Sequence, residues 1–405
     1  MLNNRQLFLL NTAQTSTTPR LIEIERAEGV YLYGPNNEKY LDLVSGFAVS
    51  NIGHRHPKVI DAIQKQLDKY LHVTVYGEFI QAPQVALATK LLSLLPARLN
   101  NIYFVNSGTE ATEGAMKIAK KYTGRRSFVS ARKAYHGSTQ GALSLMGDEQ
   151  FKTPYAPLLP HVQYIDYNNE DQLSVITTAT AAVVLEAVQG EAGVRVPTVD
   201  YMRAIRKRCD ETGTLLILDE IQTGLGRTGK LFAFEHYHIV PDILLTAKGL
   251  GGGMPLGAFI ANTEVMGVIK ENPILGHITT FGGHPVSCAA ALASLNVILN
   301  DHLLDGVDAK HQLFKSLLQH PSIKEVRGIG LMMAIQLEAF EQVNFVSKYC
   351  ADHGVLVDWF LHQETSLRVS PPLIITEEEI VEACTVIKQG LDAWLLNSHL
   401  RFRQR

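Results

Sequence analysis

The sequence predicts an α/β fold: a mainly parallel sheet with helices on both faces, completed by a smaller α+β C-terminal domain. Two observations carry this prediction. Short, continuously apolar runs alternate with helical stretches from about residue 100 onward, the pattern of strands buried on both faces. The chain, at 405 residues, also exceeds what one small core accommodates, so two or more packed lobes are expected. We read residues 1–45 as an N-terminal segment with a β-hairpin, 46–285 as the large α/β domain and 286–405 as the C-terminal α+β domain.

The elements follow in order. Met1 to Arg20 is polar and Thr-rich, with one short apolar patch, Leu7 to Leu10, and reads as neither signal peptide nor membrane span. Gly29-Val30-Tyr31-Leu32-Tyr33 and Lys39-Tyr40-Leu41-Asp42-Leu43 flank the turn Gly34-Pro35-Asn36-Asn37, a hairpin that forms a small separate layer. The apolar runs are Ile102-Tyr103-Phe104-Val105, Ser127-Phe128-Val129, Ala182-Val183-Val184-Leu185, Leu215-Leu216-Ile217-Leu218 and Ile243-Leu244-Leu245. After Gly283, Cys288 to Leu299 has helical character, and beyond it Gly328 to Leu337 and Gly354 to Val357 read as strands among helices.

Bulk properties narrow the function. A formal net charge of -3 supplies no electrostatic case for nucleic acid or membrane, and Arg401, Arg403 and Arg405 read as a solvated terminus. Cys209, Cys288, Cys350 and Cys384 form no CxxC pair and no zinc spacing; they read as reduced, buried thiols of a cytoplasmic protein.

In a parallel sheet, ligands gather at the carboxyl ends of the strands. Five features sit there. Ile102 to Val105 runs into Asn106-Ser107-Gly108-Thr109-Glu110, where Ser107 and Glu110 make a capping box and Ala111, Ala115, Ile118, Ala119 and Tyr122 keep helical spacing. The first N–H groups of that helix, with the Ser107 and Thr109 hydroxyls, form an anion cup; an ordinary helix cap has the same pattern. No GxxxxGK[ST] loop points to a nucleoside triphosphate. Tyr135-His136-Gly137 offers a planar side chain to stack on an aromatic ligand. Ala182 to Leu185 ends in Glu186-Ala187-Val188-Gln189-Gly190-Glu191, delivering acidic and amide groups to the same edge.

Leu215 to Leu218 ends in Asp219-Glu220, a carboxylate that is costly at a buried strand end unless a partner such as a protonated ring nitrogen meets it. A loop salt bridge is the plain alternative. Metal ligation ranks below both, because no histidine set accompanies the pair, and we assign no metal site. Finally, Ile243 to Leu245 leads to Thr246-Ala247-Lys248-Gly249 and the triple glycine Gly251, Gly252, Gly253. A lysine amine held partly out of water has a lowered pKa and acts as a nucleophile toward a carbonyl. Lysine, strand-end aspartate, anion cup and aromatic plate together meet what pyridoxal 5'-phosphate requires.

These motifs, with Leu367-Arg368-Val369-Ser370-Pro371-Pro372-Leu373, resemble in order and spacing the class III, or ω-type, pyridoxal-phosphate aminotransferases, from about Gly29 to Ile375. The resemblance implies a fold type I transferase in which Lys248 carries the Schiff base and shuttles a proton. It implies that Asp219 pairs with the pyridine nitrogen, Gln222 with the phenolic oxygen, and Gly108 and Thr109 with the phosphate, while Tyr135 stacks on the ring. Ser107, His136 and Glu186 join them as cofactor-binding candidates. Thr280 matches a threonine that reaches the neighbouring subunit's phosphate, which implies a homodimer.

Arg368 matches the arginine that grips a substrate carboxylate, and Glu191 the acid that masks it in ornithine and 4-aminobutyrate aminotransferases. The implied reaction moves an amino group from an amino acid or ω-amino donor to a 2-oxo acid, 2-oxoglutarate first, by a ping-pong mechanism; the acetylornithine/ornithine type is the nearest match. One departure bears on it. Those enzymes follow the aromatic plate with Gly-Arg-Thr, whereas Gly137 is followed by Ser138 and Thr139, leaving Arg132 as a substitute. Glu78 falls where the family lines the substrate entrance, although a solvated loop acid has the same appearance. An aminomutase or racemase on this scaffold, and a non-catalytic regulatory protein that keeps the cofactor, remain as alternatives.

Overall fold

In the computed structural model, which describes residues 2–402, seven strands form the central sheet. The basic tail residues Arg403 and Arg405 lie outside the described residues. In chain order after three N-terminal strands (β1, Arg26–Glu28; β2, Tyr31–Tyr33; β3, Lys39–Asp42) come β4 (Asn101–Val105), β5 (Ser127–Ala131), β6 (Val162–Ile165) and β7 (Thr180–Glu186). The sheet is completed by β8 (Leu215–Asp219), β9 (Ile243–Thr246) and β10 (Gly257–Ala261), in the order β4-β10-β9-β8-β7-β5-β6. Neighbours β6, β5, β7, β8 and β9 pair in parallel, and β10 runs antiparallel between β9 and β4.

The apolar strands are buried because both faces are covered. Side chains alternate across a strand, and on β7 and β8 that alternation feeds two different cores. Val183, Leu185, Leu216 and Leu218 pack into one cluster, while Ala182, Val184 and Ile217 pack into another. The second cluster is closed by the helix Gly108–Thr123 through Ala111, Ala115, Ile118 and Ala119.

Two features depart from the expected arrangement. The segment Gly328 to Leu337 is a hairpin, β11 (Glu325–Ile329) and β12 (Met332–Gln336), because Gly330 at φ 55° turns the chain back. The N-terminal hairpin is also no separate layer. β3 pairs in parallel with β13 (Val355–Leu356), Leu41 opposite Val355, and Val30, Leu41 and Leu43 share a core with the C-terminal part of the chain. β14 (Asp358–Phe360) and β15 (Gln363–Val369) complete the sheet β11-β12-β15-β14, which carries Arg368. All four cysteines are free and buried. Among the described residues no helix is long and apolar enough to cross a membrane.

Candidate active site

β7 and β8 deliver their last residues, Glu186 and Asp219, and β9 the residues that follow it, Ala247 and Lys248, to one cavity of about 430 Å³. Glu186 and Asp219 end adjacent strands and face each other in register, and Asp219 lies opposite Leu245 on β9, three residues before Lys248. Lys248 starts a short 3-10 turn at φ 46°, a left-handed conformation that a non-glycine residue holds at some cost. The turn, Lys248–Gly251, is followed by β10.

Electrostatics follow from burial and mutual proximity. Burial pushes the Lys248 ammonium below the ordinary lysine range, against the opposing pull of the Glu191 carboxylate. Burial raises the Glu186 carboxyl to about 7, despite N–H donors from Tyr135 at 3.2 Å and Gly190 at 2.9 Å. Asp219 accepts from the Ile221 N–H at 3.0 Å through Oδ1 and lies 2.8 Å from His136 Nδ1 through Oδ2. Burial alone would lower the His136 pKa, but the Asp219 carboxylate beside it raises it. His136 is thus no aromatic plate. Both residues line the cavity, but the His136 ring is fully buried against Asp219 and orients that carboxylate, whereas the Tyr135 ring is partly exposed.

The cup lines the same cavity. The helix Gly108–Thr123 leaves its first N–H groups, at Gly108 and Thr109, without helical acceptors. Ser107 Oγ accepts from the Glu110 N–H at 3.3 Å, but the reciprocal half of the capping box is displaced by one residue. The Glu110 carboxylate takes the Asn106 N–H at 2.7 Å and the Asn106 side-chain amide at 2.9 Å. Gln222 also lines the cavity, and it requires Gly190: a Cβ there would stand 1.8 Å from Gln222 Oε1.

Pyridoxal phosphate fits these residues. A carboxylate holds about four acceptor sites, so Asp219, with two in use, keeps capacity for a ring N–H. The free helix N–H groups suit a phosphate, and Lys248 lines the same cavity. Among the described residues no group of three or more His, Cys, Asp or Glu side chains is arranged to hold a metal ion.

Arg368 does not line this cavity itself but pairs with Glu191, which does. Its Nη2 donates to both Glu191 oxygens, at 2.8 and 2.7 Å, and the Leu361 N–H adds a third contact at 3.1 Å. Burial would raise the Glu191 pKa, yet the guanidinium holds it below the ordinary carboxylate range. Phe360 and Phe47 flank the guanidinium, with ring centroids 4.3 and 5.0 Å away.

Sequence reasoning missed Phe47, which sits in a left-handed turn, Ser45 to Ala48, with φ between 48° and 64°. The buried Arg227 holds that turn, donating to Asn51 Oδ1 at 2.6 Å and Ser45 Oγ at 3.3 Å. No local pattern announces either residue.

Besides Arg368, three expected residues fall outside the cavity lining. Arg132 is exposed and paired with Asp166 at 3.4 Å, so it does not replace the absent arginine, and Ser138 meets the Tyr135 hydroxyl at 3.2 Å instead. Glu78 is exposed on a second concavity of about 710 Å³, shared with Tyr76, Phe104 and Ile274. Thr280 is exposed and does not line its own chain's cavity.

Comparison with known proteins agrees with this geometry. The aminotransferase class-III family model matches residues 12–391. An acetylornithine aminotransferase from Caldanaerobacter subterraneus subsp. tengcongensis is 39% identical over 382 residues, 91% of this chain and 94% of that protein. Another, from Archaeoglobus fulgidus, is 40% identical over 375 residues, 92% of this chain and 96% of that protein. The crystal structure of ornithine aminotransferase from Toxoplasma gondii ME49 superposes with a TM-score of 0.90 at 29% identity, covering 98% of this chain and 97% of that one. A transaminase from the marine bacterium Virgibacillus gives a TM-score of 0.89 at 25% identity, covering 95% and 97%. With the matched family spanning nearly the whole chain and the cavity fitting the cofactor, this protein belongs to the class III aminotransferases and is a pyridoxal-phosphate-dependent enzyme.

Proposed function

We propose that the enzyme takes the amino group of a donor bearing a terminal amine, of the acetylornithine or ornithine type, and passes it to 2-oxoglutarate. The observation that carries this reading is the closed Glu191–Arg368 pair beside Lys248. With the pair closed, the cavity edge is neutral and admits the amine end of a donor. With Glu191 turned aside, Arg368 is free to grip a carboxylate of glutamate or 2-oxoglutarate as a bidentate partner. The names of the curated relatives favour the same donor class.

The bound cofactor supplies an electron sink for the carbon that carries the amine. Lys248 binds it and, with its pKa drawn down by burial, moves the proton on and off that carbon. Asp219, oriented by His136, would hold a proton at the ring nitrogen, Gln222 would meet the phenolic oxygen and Tyr135 would stack on the ring. Gly108 and Thr109, with Ser107 as cap, receive the phosphate. Glu186 lies beneath the same wall and holds the Tyr135 loop.

The active unit in this reading is a homodimer. Phe79, Ile80, Ile274, Leu275, Ile278 and Phe281 are exposed around the second concavity, an apolar surface of the kind that a subunit contact covers. Thr280 lies between Ile278 and Phe281 and would be carried to the partner's phosphate, while Glu78 would sit at a shared entrance. Four free, buried cysteines suit a cytoplasmic location. A panel of terminal amines and amino acids, each offered with 2-oxoglutarate or pyruvate, tests the donor class. Faster turnover of α-amines without a terminal amino group than of N-acetylornithine and ornithine would overturn it.

A further inference from the structure

The segment that carries Tyr135, His136 and Ser138 is fastened to the cup-bearing helix by a side chain that does not line the cavity. Glu113 stands one helical turn beyond Thr109. Its Oε1 accepts from the Thr139 hydroxyl at 2.6 Å, the Gly141 N–H at 2.8 Å and the Ala142 N–H at 3.1 Å. Thr139 is tied in turn to Thr109. Their hydroxyl oxygens are 2.7 Å apart, and the Thr139 N–H reaches Thr109 Oγ1 at 3.3 Å.

Further contacts leave this seam no slack. The Thr112 hydroxyl donates to the His136 carbonyl at 3.0 Å. A Cβ on Gly137 would stand 2.2 Å from Thr109 Oγ1, and one on Gly141 would stand 2.2 Å from Glu113 Oε2. By charge alone, a carboxylate one turn from an anion cup weakens the cup. Its use as a triple acceptor places its value in geometry instead.

We propose that Glu113 is a positioning residue for the cofactor phosphate: it fixes the spacing between the ring wall at Tyr135 and the N–H cup at Gly108 and Thr109. This rests on the reading of Gly108 and Thr109 as the phosphate cup. A ligand with a ring and a phosphate must satisfy wall and cup together, whereas a ring without phosphate needs the wall alone. Loss of the clamp therefore falls on the phosphate-bearing ligand.

The test titrates cofactor-free protein with pyridoxal phosphate and with pyridoxal, following intrinsic fluorescence. Glu113→Ala is expected to weaken pyridoxal phosphate about tenfold or more and pyridoxal by less than about threefold. Glu113→Gln keeps an oxygen acceptor for all three donors and is expected to stay within about threefold of the parent for both ligands. Thr139→Val changes an exposed side chain, so its fold is not at issue, and it is expected to weaken pyridoxal phosphate about fivefold.

Equal losses for both ligands in Glu113→Ala and Thr139→Val, or no loss in either, would overturn the proposal. Inorganic phosphate as a competitor separates the two failures. If phosphate competes with pyridoxal phosphate but not with pyridoxal while the variants lose nothing, only the role of Glu113 falls. If phosphate does not compete with pyridoxal phosphate, the cup reading falls and the proposal with it.

Discussion

Glu191 and Arg368 form a closed, nearly buried pair in which one guanidinium nitrogen holds both carboxylate oxygens, at 2.7 and 2.8 Å. Among the described residues Arg368 Nε, itself buried, has no hydrogen-bond partner, so the guanidinium is not saturated by Glu191. In the proposed function the pair opens as well as closes.

Glu191→Ala separates the two halves of the reaction. Without the carboxylate, Arg368 faces the donor's distal end uncompensated. Single-turnover rates with a terminal-amine donor should fall about tenfold, while those with glutamate stay within about threefold. Equal effects on both halves would make the pair a fixed salt bridge.

Gly137 is conformationally and sterically required. Its φ is +130°, and an added Cβ would meet the Thr109 side chain at 2.2 Å and its Cα at 2.9 Å. Gly137→Ala should cost about 2–4 kcal/mol of stability, read as a lowered urea midpoint of the cofactor-free protein, and should weaken cofactor binding in parallel.

Glu186 makes stability depend on pH. Its carboxyl titrates near 4.5 when unfolded and is raised to about 7 by burial. Between those values the folded protein keeps a proton that the unfolded chain has lost, so the stability contribution present below 4.5 declines as pH rises through 7. Glu186→Gln removes that decline. The stability of the variant relative to the parent, measured by urea unfolding without cofactor, should rise by about 2 kcal/mol between roughly pH 5.5 and 8. A constant difference would show that Glu186 is ionised throughout.

The legible parts of the chain share a physical cause. β7, β8 and β9 are apolar between their first and last residues, because burial on both faces disfavours polar side chains. β4 is only half-buried along most of its length, β5 holds the buried Ser130, and β6, with its exposed Gln163 at a sheet edge, lacks the signature; β10 has it, but it is short and follows a glycine-rich turn. The residues that end the apolar strands, Glu186 and Asp219, and Lys248 just past β9, were legible by position, since topology brings parallel strand ends together. The role of His136 was not, because only packing decides that its ring is buried against Asp219 while that of Tyr135 stays partly exposed. Phe47 and Arg227 depend on a left-handed turn that no local pattern encodes. Thr280 and Glu78 face outward from a single chain, so their company is set by whatever covers that surface.

In the proposed function, Lys248 and the cofactor pass an amino group in two separable halves. The cofactor absorbance of the loaded enzyme reads both, first with an amino donor alone and then with a 2-oxo acid, in the parent and in Lys248→Ala. The parent is expected to lose its band with donor alone and to regain it on addition of the oxo acid, and Lys248→Ala to slow this cycle by about 10³-fold or more. A band that returns without any acceptor, or a Lys248→Ala protein that cycles at the parental rate, would rule this out.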